Sequence, residues 1–231
     1  MSSRKTKGLI ITSLILVISL LAGYFVVNST IDKKLFKQEI KELKKKDIIK
    51  YRFNDKVKTS GSYAVIEKKM KNYLDDCSLN YRNIINIEKD KKFLSILSAD
   101  NYIKDKPNFD NSIKYLNKLK DKYDTNTKEL LKCSNKSNIK GNIVDANING
   151  YYESIYKKEM LDNKLLSKIK DSIDESKESR EKVGSKLDNT IKVIKLLRDN
   201  KNKWTMNKKA ILFKDNKLYL EYDKLVNDIV K

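Results

Sequence analysis

Cys77 and Cys133 are the only thiols in this chain, and the sequence contains no histidine. Those two facts bound the chemistry. Without an imidazole there is no Ser-His or Cys-His nucleophile pair and no histidine general base. Two cysteines with no histidine cannot complete a usual zinc ligand set. Glycine-rich phosphate loops and calcium loops are also missing. Acidic groups do cluster, as Asp75-Asp76 and as Asp171, Asp174, Glu175 and Glu178. The second set alternates with Lys170, Lys177 and Lys182, the pattern of a solvated, ion-paired helix surface. No catalytic, metal-ligating or cofactor-binding residue is assigned on these grounds, and a non-enzymatic protein is expected. A lysine- or tyrosine-based enzyme has no residue that marks it out.

The remaining chemistry for the two thiols is with each other, and their positions make that possible. From Tyr63 the apolar residues Ile66, Met70, Tyr73, Cys77, Tyr81, Ile84 and Ile87 recur at spacings of three and four, which predicts one face of a long helix. Residues 98–109 supply turn types and the only proline, Pro107. A second stripe follows: Phe109, Ile113, Leu116, Leu119, Tyr123 and Leu130, with Cys133 at its end. If the two helices fold back on each other, residues equidistant from the turn face one another. The midpoint of the cysteines is Asp105, inside the turn. Each thiol then lies roughly 40 Å along its helix from that turn. A disulfide is sterically possible if the Cα atoms come within about 7 Å. By the chain-entropy model, closing so long a loop would contribute about 4 kcal/mol. Two small buried residues that happen to be level are the alternative.

The rest of the chain extends the helical pattern. A third stripe runs through Ile143, Val144, Ile148, Tyr151, Ile155, Leu165, Ile169 and Ile173, and a fourth through Val183, Leu187, Ile191, Ile194 and Leu197. Between them, residues 174–182 have no apolar side chain and read as a hairpin tip that lets the fourth segment pack on the third. In the tail, Trp204 and Phe213 are expected to close one end of the core. Ile211-Leu212-Phe213 reads as extended, and a last helix is expected from Asp215 or Asn216.

The N-terminus fixes the expected compartment. Arg4, Lys5 and Lys7 precede Gly8–Val27, a run of about 20 residues without a charge. As a helix it would be about 30 Å long, the thickness of a bilayer's hydrocarbon core. Tyr24 stands where a lipid-accepting cysteine would follow Leu21-Ala22-Gly23, and the run continues past the small residues. An uncleaved signal-anchor helix is therefore expected, with cleavage near Gly23 as the alternative. The basic N-terminus favours the rest of the chain outside the cell. The basic stretch from Lys33 to Lys58 argues the other way, but long domains translocate largely regardless of charge. Extracytoplasmic placement of the C-terminal domain is expected.

The fold expected is all-α: a single transmembrane helix, then an elongated antiparallel bundle of about four helices with a small C-terminal cap. The expected divisions are a basic cytoplasmic N-terminus (1–7), the membrane helix (8–27), a basic juxtamembrane stalk and connector (28–61), the bundle (62–200) and the cap (201–231). The net charge is +20. The codon bias of an AT-rich bacterial genome reads as the main cause of the lysine excess, and the basic excess is strongest in the stalk and first hairpin. Lys33, Lys34, Lys37, Lys44, Lys45 and Lys46 are expected to contact the membrane surface, where each nearby lysine gains about 1 kcal/mol from anionic lipid. The same surface suits wall polymers carrying phosphate.

The accompanying tyrosines, Tyr63, Tyr73, Tyr81, Tyr102, Tyr115 and Tyr123, fall on apolar stripes. That favours core packing over base stacking. The layout is loosely similar to membrane-tethered helical envelope proteins of Gram-positive bacteria, with no shared motif. The expected function is a membrane-anchored extracytoplasmic interaction or scaffold protein of a bacterial envelope, contacting anionic polymers, lipid or a protein partner. The alternative is a cytoplasm-facing basic domain that holds nucleic acid or another polyanion at the membrane.

Overall fold

The computed structural model describes residues 29–53, 56–144, 146 and 148–230, which are mostly helical. The first described helix covers 29–43 (α1). It is followed by α2 (Gly61–Ile85), a 3-10 turn (Asn86–Lys89), α3 (Lys91–Ser95), α4 (Ala99–Asp105), α5 (Asp110–Lys132), α6 (Lys136–Val144), α7 (Gly150–Met160), α8 (Asn163–Glu175) and α9 (Lys177–Asp199). A hairpin of β1 (Trp204–Asn207) and β2 (Ala210–Phe213) then leads into α10 (Asn216–Val230). The strands are antiparallel, pairing Trp204 with Phe213 and Asn207 with Ala210.

This architecture corrects the expected one in four respects. First, among the described residues no helix is long and apolar enough to cross a membrane. The expected membrane segment, 8–27, lies outside the described residues, so the fold described here contains no spanning element.

Second, α1 does not stand off as a stalk. Phe36, Ile40, Leu43, Ile48, Ile49 and Phe53 are all buried in the common core. Their spacing along 36–43 is helical, and the stripe finds α2 at Tyr63, whose ring centroid lies 5.4 Å from that of Phe36. The start of α2 is held from α1 as well. Asp32 accepts hydrogen bonds from the Ser60 backbone N–H at 3.0 Å and the Ser60 hydroxyl at 2.5 Å. The helix starts at Gly61, with Ser60 before it. The φ of Gly61, +54°, is one that glycine adopts without a side-chain penalty.

Third, the third stripe is three helices, and no hairpin separates it from the fourth. Asn149 and Asp162 cap α7 and α8 by accepting the Tyr152 and the Lys164 and Leu165 backbone N–H groups. At 174–182 the chain breaks its helix for one residue only, Ser176, whose dihedrals (−77°, −8°) stay near the right-handed helical region. Arg180 explains why no tip forms. Its guanidinium is buried and donates to the Ser176 hydroxyl at 2.9 Å and to the Ile173 carbonyl at 3.2 Å, stitching α8 to α9. Segment 98–109 is likewise not all turn, since Ser98 caps α4 by accepting the Asn101 N–H.

Fourth, the protein is not all-α, because β1 and β2 form a hairpin in the expected cap. The extended reading of Ile211-Leu212-Phe213 holds, as does the terminal helix.

The centre is a three-helix layer of α2, α5 and α9. Asn83 on α2 donates to Asn126 on α5 at 3.0 Å, which sets an antiparallel register. Antiparallel α5 and α9 are tied by the Lys120–Asp188 ion pair at 3.0 Å and by the Tyr123 hydroxyl, which donates to the Arg180 carbonyl at 3.0 Å. Gly184 makes room for that tyrosine: a Cβ there would lie 2.6 Å from the Tyr123 oxygen. α10 packs on α9, and α7 and α6 pack on α2. At the far end, Asp105 caps α5 by accepting the Ser112 N–H at 2.7 Å. Phe109, left-handed at φ +56°, turns its ring into the core between Tyr102 and Trp204, with both centroid distances 5.9 Å.

Candidate functional site

Cys77 sits on the buried face of α2 and Cys133 directly follows α5. The antiparallel register brings them level, as their distance from the turn predicts. They are joined as a disulfide, with Cα atoms 5.9 Å apart. Both are buried, at 1% and 5% exposure, at the base of an open cleft. The Tyr73 hydroxyl donates to the Cys133 carbonyl at 2.8 Å, fixing the end of α5 against α2. Burial holds that hydroxyl well above the ordinary tyrosine range. Beside the bridge lies an open polar cleft of about 480 Å³, lined among others by Asp76, Asn80, Glu129 and Lys132. Burial, and then the charge of Asp75, raise the Asp76 carboxyl.

The carboxylate clusters sit in different surroundings. Asp75 accepts the Phe53 N–H at 2.9 Å and faces Arg82 at 3.5 Å, which anchors the connector to α2. Asp171, Asp174, Glu175 and Glu178 lie exposed along the α8–α9 surface. Among the described residues, no group of three or more potential ligands could hold a metal ion.

The six lysines named for membrane contact separate into two sets. Lys44 is paired with Glu159 at 3.0 Å and Asp162 at 3.4 Å, and its carbonyl accepts from Lys168 at 2.8 Å. Lys45 pairs with Glu42 at 2.7 Å, and Lys46 lies 4.4 Å from the centre of the Tyr51 ring. That run fastens the end of α1 to its surroundings. Lys33, Lys34 and Lys37 are exposed and have no acid partner among the described residues.

Two features are absent from the sequence reading. One is a buried ionic cluster. Lys71 (2% exposed) reaches Glu67 (0%) at 2.8 Å and Glu39 (4%) at 3.0 Å, and also donates to the Lys56 carbonyl at 3.0 Å. Glu67 further accepts the Lys58 and Thr59 backbone N–H groups and the Thr59 hydroxyl, at 2.9, 3.0 and 2.7 Å. Burial alone would raise the Glu67 carboxyl, but the hydrogen bonds from Lys71, the Lys58 N–H and Thr59 outweigh it and hold it below its ordinary value. The Glu67/Lys71 spacing of four was the available signal. It has the same form as a surface pair, and only the packing of α1 over it distinguishes the two.

The other feature is a pocket of about 360 Å³ where α1, α2 and α7 meet. Phe36, Tyr63 and Ile155 form its floor, and Lys33, Lys37 and Lys158 stand around it. Its aromatic wall continues as a ladder, with Tyr63 5.1 Å from Tyr152 and Tyr152 5.2 Å from Tyr151. Burial, and then a hydrogen bond with Tyr151, push the Tyr63 hydroxyl up to about 12. Three elements far apart in sequence build the pocket, so no local motif announces it. The other tyrosines among the lysines are packed against the core: Tyr102 is buried, and Tyr73, Tyr81, Tyr115 and Tyr123 are partly buried.

No family model matches the chain, no curated protein is detectably similar to it, and no solved structure matches it.

Proposed function

We propose that this chain is a non-enzymatic interaction domain held at the outer face of a bacterial membrane, where it contacts an anionic envelope polymer, a lipid surface or a protein partner. The observation that carries the reading is the Cys77–Cys133 bridge. Structural disulfides persist in oxidising compartments and are rare in the cytosol of ordinary bacteria. The bridge uses both thiols of a histidine-free chain, which leaves nucleophilic cysteine chemistry without a group to carry it. Packing of Tyr63, Tyr73, Tyr81, Tyr102, Tyr115 and Tyr123 against the core supports the same reading over nucleic-acid binding, because stacking needs exposed ring faces. The uncharged run 8–27 supports attachment to the membrane through its composition alone.

A fusion of paired reporters to the C-terminus tests the placement. The reading predicts activity from a reporter that works only outside the cytoplasm, and digestion of the domain by protease added to intact cells. Activity only from the cytoplasmic reporter, with digestion only after the cells are broken, would overturn it.

A further inference from the structure

The pocket between α1, α2 and α7 has the chemistry of a binding site for a phosphodiester attached to a polyol. We propose that it holds successive polyol-phosphate units of an anionic envelope polymer or the equivalent lipid headgroup, an assignment that rests on the extracytoplasmic reading above.

Its charge is one-sided. Lys33, Lys37 and Lys158 line it with no acid partner among the described residues. The one carboxylate in the lining, Glu159, is already occupied by Lys44 at 3.0 Å. An anion entering the pocket therefore meets three uncompensated ammonium groups. Lys33 and Lys37 are one helical turn apart, so their Cβ atoms are about 6 Å from each other. Flexible lysine stems at that spacing can engage neighbouring phosphodiesters along a chain.

The floor selects what the phosphate is attached to. Phe36 and Tyr63 are buried to 3% and 4% exposure, and Ile155 lies beside them. Such a floor adds nothing for a small, fully hydrated ion but favours carbon-bound hydrogens. Tyr151, 55% exposed at the rim, offers a ring to the same groups. The Ser154 hydroxyl, which donates to the Tyr151 carbonyl at 2.9 Å, keeps its lone pairs available for polyol hydroxyls. Nucleobases fit less well, since Tyr151 alone of the lining rings is exposed to stack on. A volume of about 360 Å³ suits one or two polymer units at a time.

The test uses the full chain in phosphatidylcholine nanodiscs and a fluorescently labelled glycerol-phosphate oligomer, with binding read by anisotropy. The oligomer should bind, and unlabelled oligomer should compete while uncharged oligoglycerol and inorganic phosphate do not. The Lys33→Ala/Lys37→Ala/Lys158→Ala variant should bind about tenfold more weakly, the loss expected when several modest exposed charge contacts go together. Tyr151→Ala should weaken binding about threefold. A control that removes the same charge elsewhere, Lys182→Ala/Lys201→Ala/Lys209→Ala, should bind like the parent, and both triple-lysine variants should melt like it.

Nanodiscs containing phosphatidylglycerol separate the sources. Unchanged oligomer binding there assigns the site to the polymer, and displacement assigns it to the lipid headgroup. Three results would each overturn the proposal: no oligomer binding, equal losses in the control and pocket variants, or equally tight binding of an oligothymidylate through the same lysines. None of them bears on the reporter and protease assays, so this pocket can fail while the placement of the domain stands.

Discussion

The start of α2 and the start of α5, at opposite ends of this antiparallel pair, are held by different physics. At the start of α2, α1 is latched by charges: Lys71 lies between Glu39 and Glu67, with all three almost fully buried. At the other end, the chain is closed by rings. Tyr102, Phe109 and Trp204 stack in series, the Trp204 Nε1 donates to the Leu197 carbonyl at 2.7 Å, and the Tyr102 and Tyr222 hydroxyls meet at 3.4 Å. The contrast shows what each end can tolerate. A buried ion set contributes little net stability over an apolar equivalent, but it is costly to break, because a lost partner leaves the other charge stranded. The ring end depends on buried area, which declines gradually as atoms are removed. The disulfide lies between the two and ties α2 to α5 whichever end loosens.

Lys71→Ala should be the most damaging single change, costing about 4–5 kcal/mol in denaturant unfolding, because buried Glu67 loses its cation and Glu39 is left with Lys58 alone. A cost below that of the disulfide would show that water reaches the cluster and would blur the contrast. Cys77→Ser/Cys133→Ser should cost about 4 kcal/mol by the chain-entropy model, with the two residues separated by 56 positions. Trp204→Phe removes one hydrogen bond and part of a ring, and should cost about 1–2 kcal/mol in the same assay.

Acid should loosen the ionic end without any mutation. The Glu67 carboxyl is held below its ordinary 4.5. Its contribution is therefore fully present at neutral pH, begins to fall as pH drops past about 4.5 and is gone below the folded-state value. Hydrogen exchange should show α1 and the start of α2 opening more readily at pH 3 than at pH 7. Glu67→Gln should shrink the stability difference between pH 7 and pH 3. A residual slope should persist from Asp105 and Asp162, whose carboxyls are also depressed against the opposing effect of burial. Hydrogen bonds from Ser112 and Asn111 hold Asp105 down, and those from Lys164 and Leu165, with Lys44, hold Asp162 down.

The stripes that periodicity could show were legible. Cys77 and Cys133 are placed level by their distance from Asp105, and Trp204, the extended run before α10 and the last helix fall where they are expected. Three things were hidden, each for a physical reason. Burial of α1 could not be read because its apolar stripe is flanked by lysines, which look the same on a free stalk and on a packed helix with one wet face. The continuity of α8 and α9 depends on Arg180 turning inward, whereas an arginine in a charged run reads as solvated. The pocket of Lys33, Lys37 and Lys158 joins residues more than a hundred positions apart, brought together by the packing of both α1 and α7 on α2.

The account turns on the state of two sulfur atoms in living cells. Native cells should be quenched in acid, denatured, and treated with a maleimide mass tag before and after reduction. The account predicts no tagged cysteine before reduction and two, Cys77 and Cys133, after it. Two tags on the unreduced protein would place the domain in a reducing compartment and contradict the proposed function at its base.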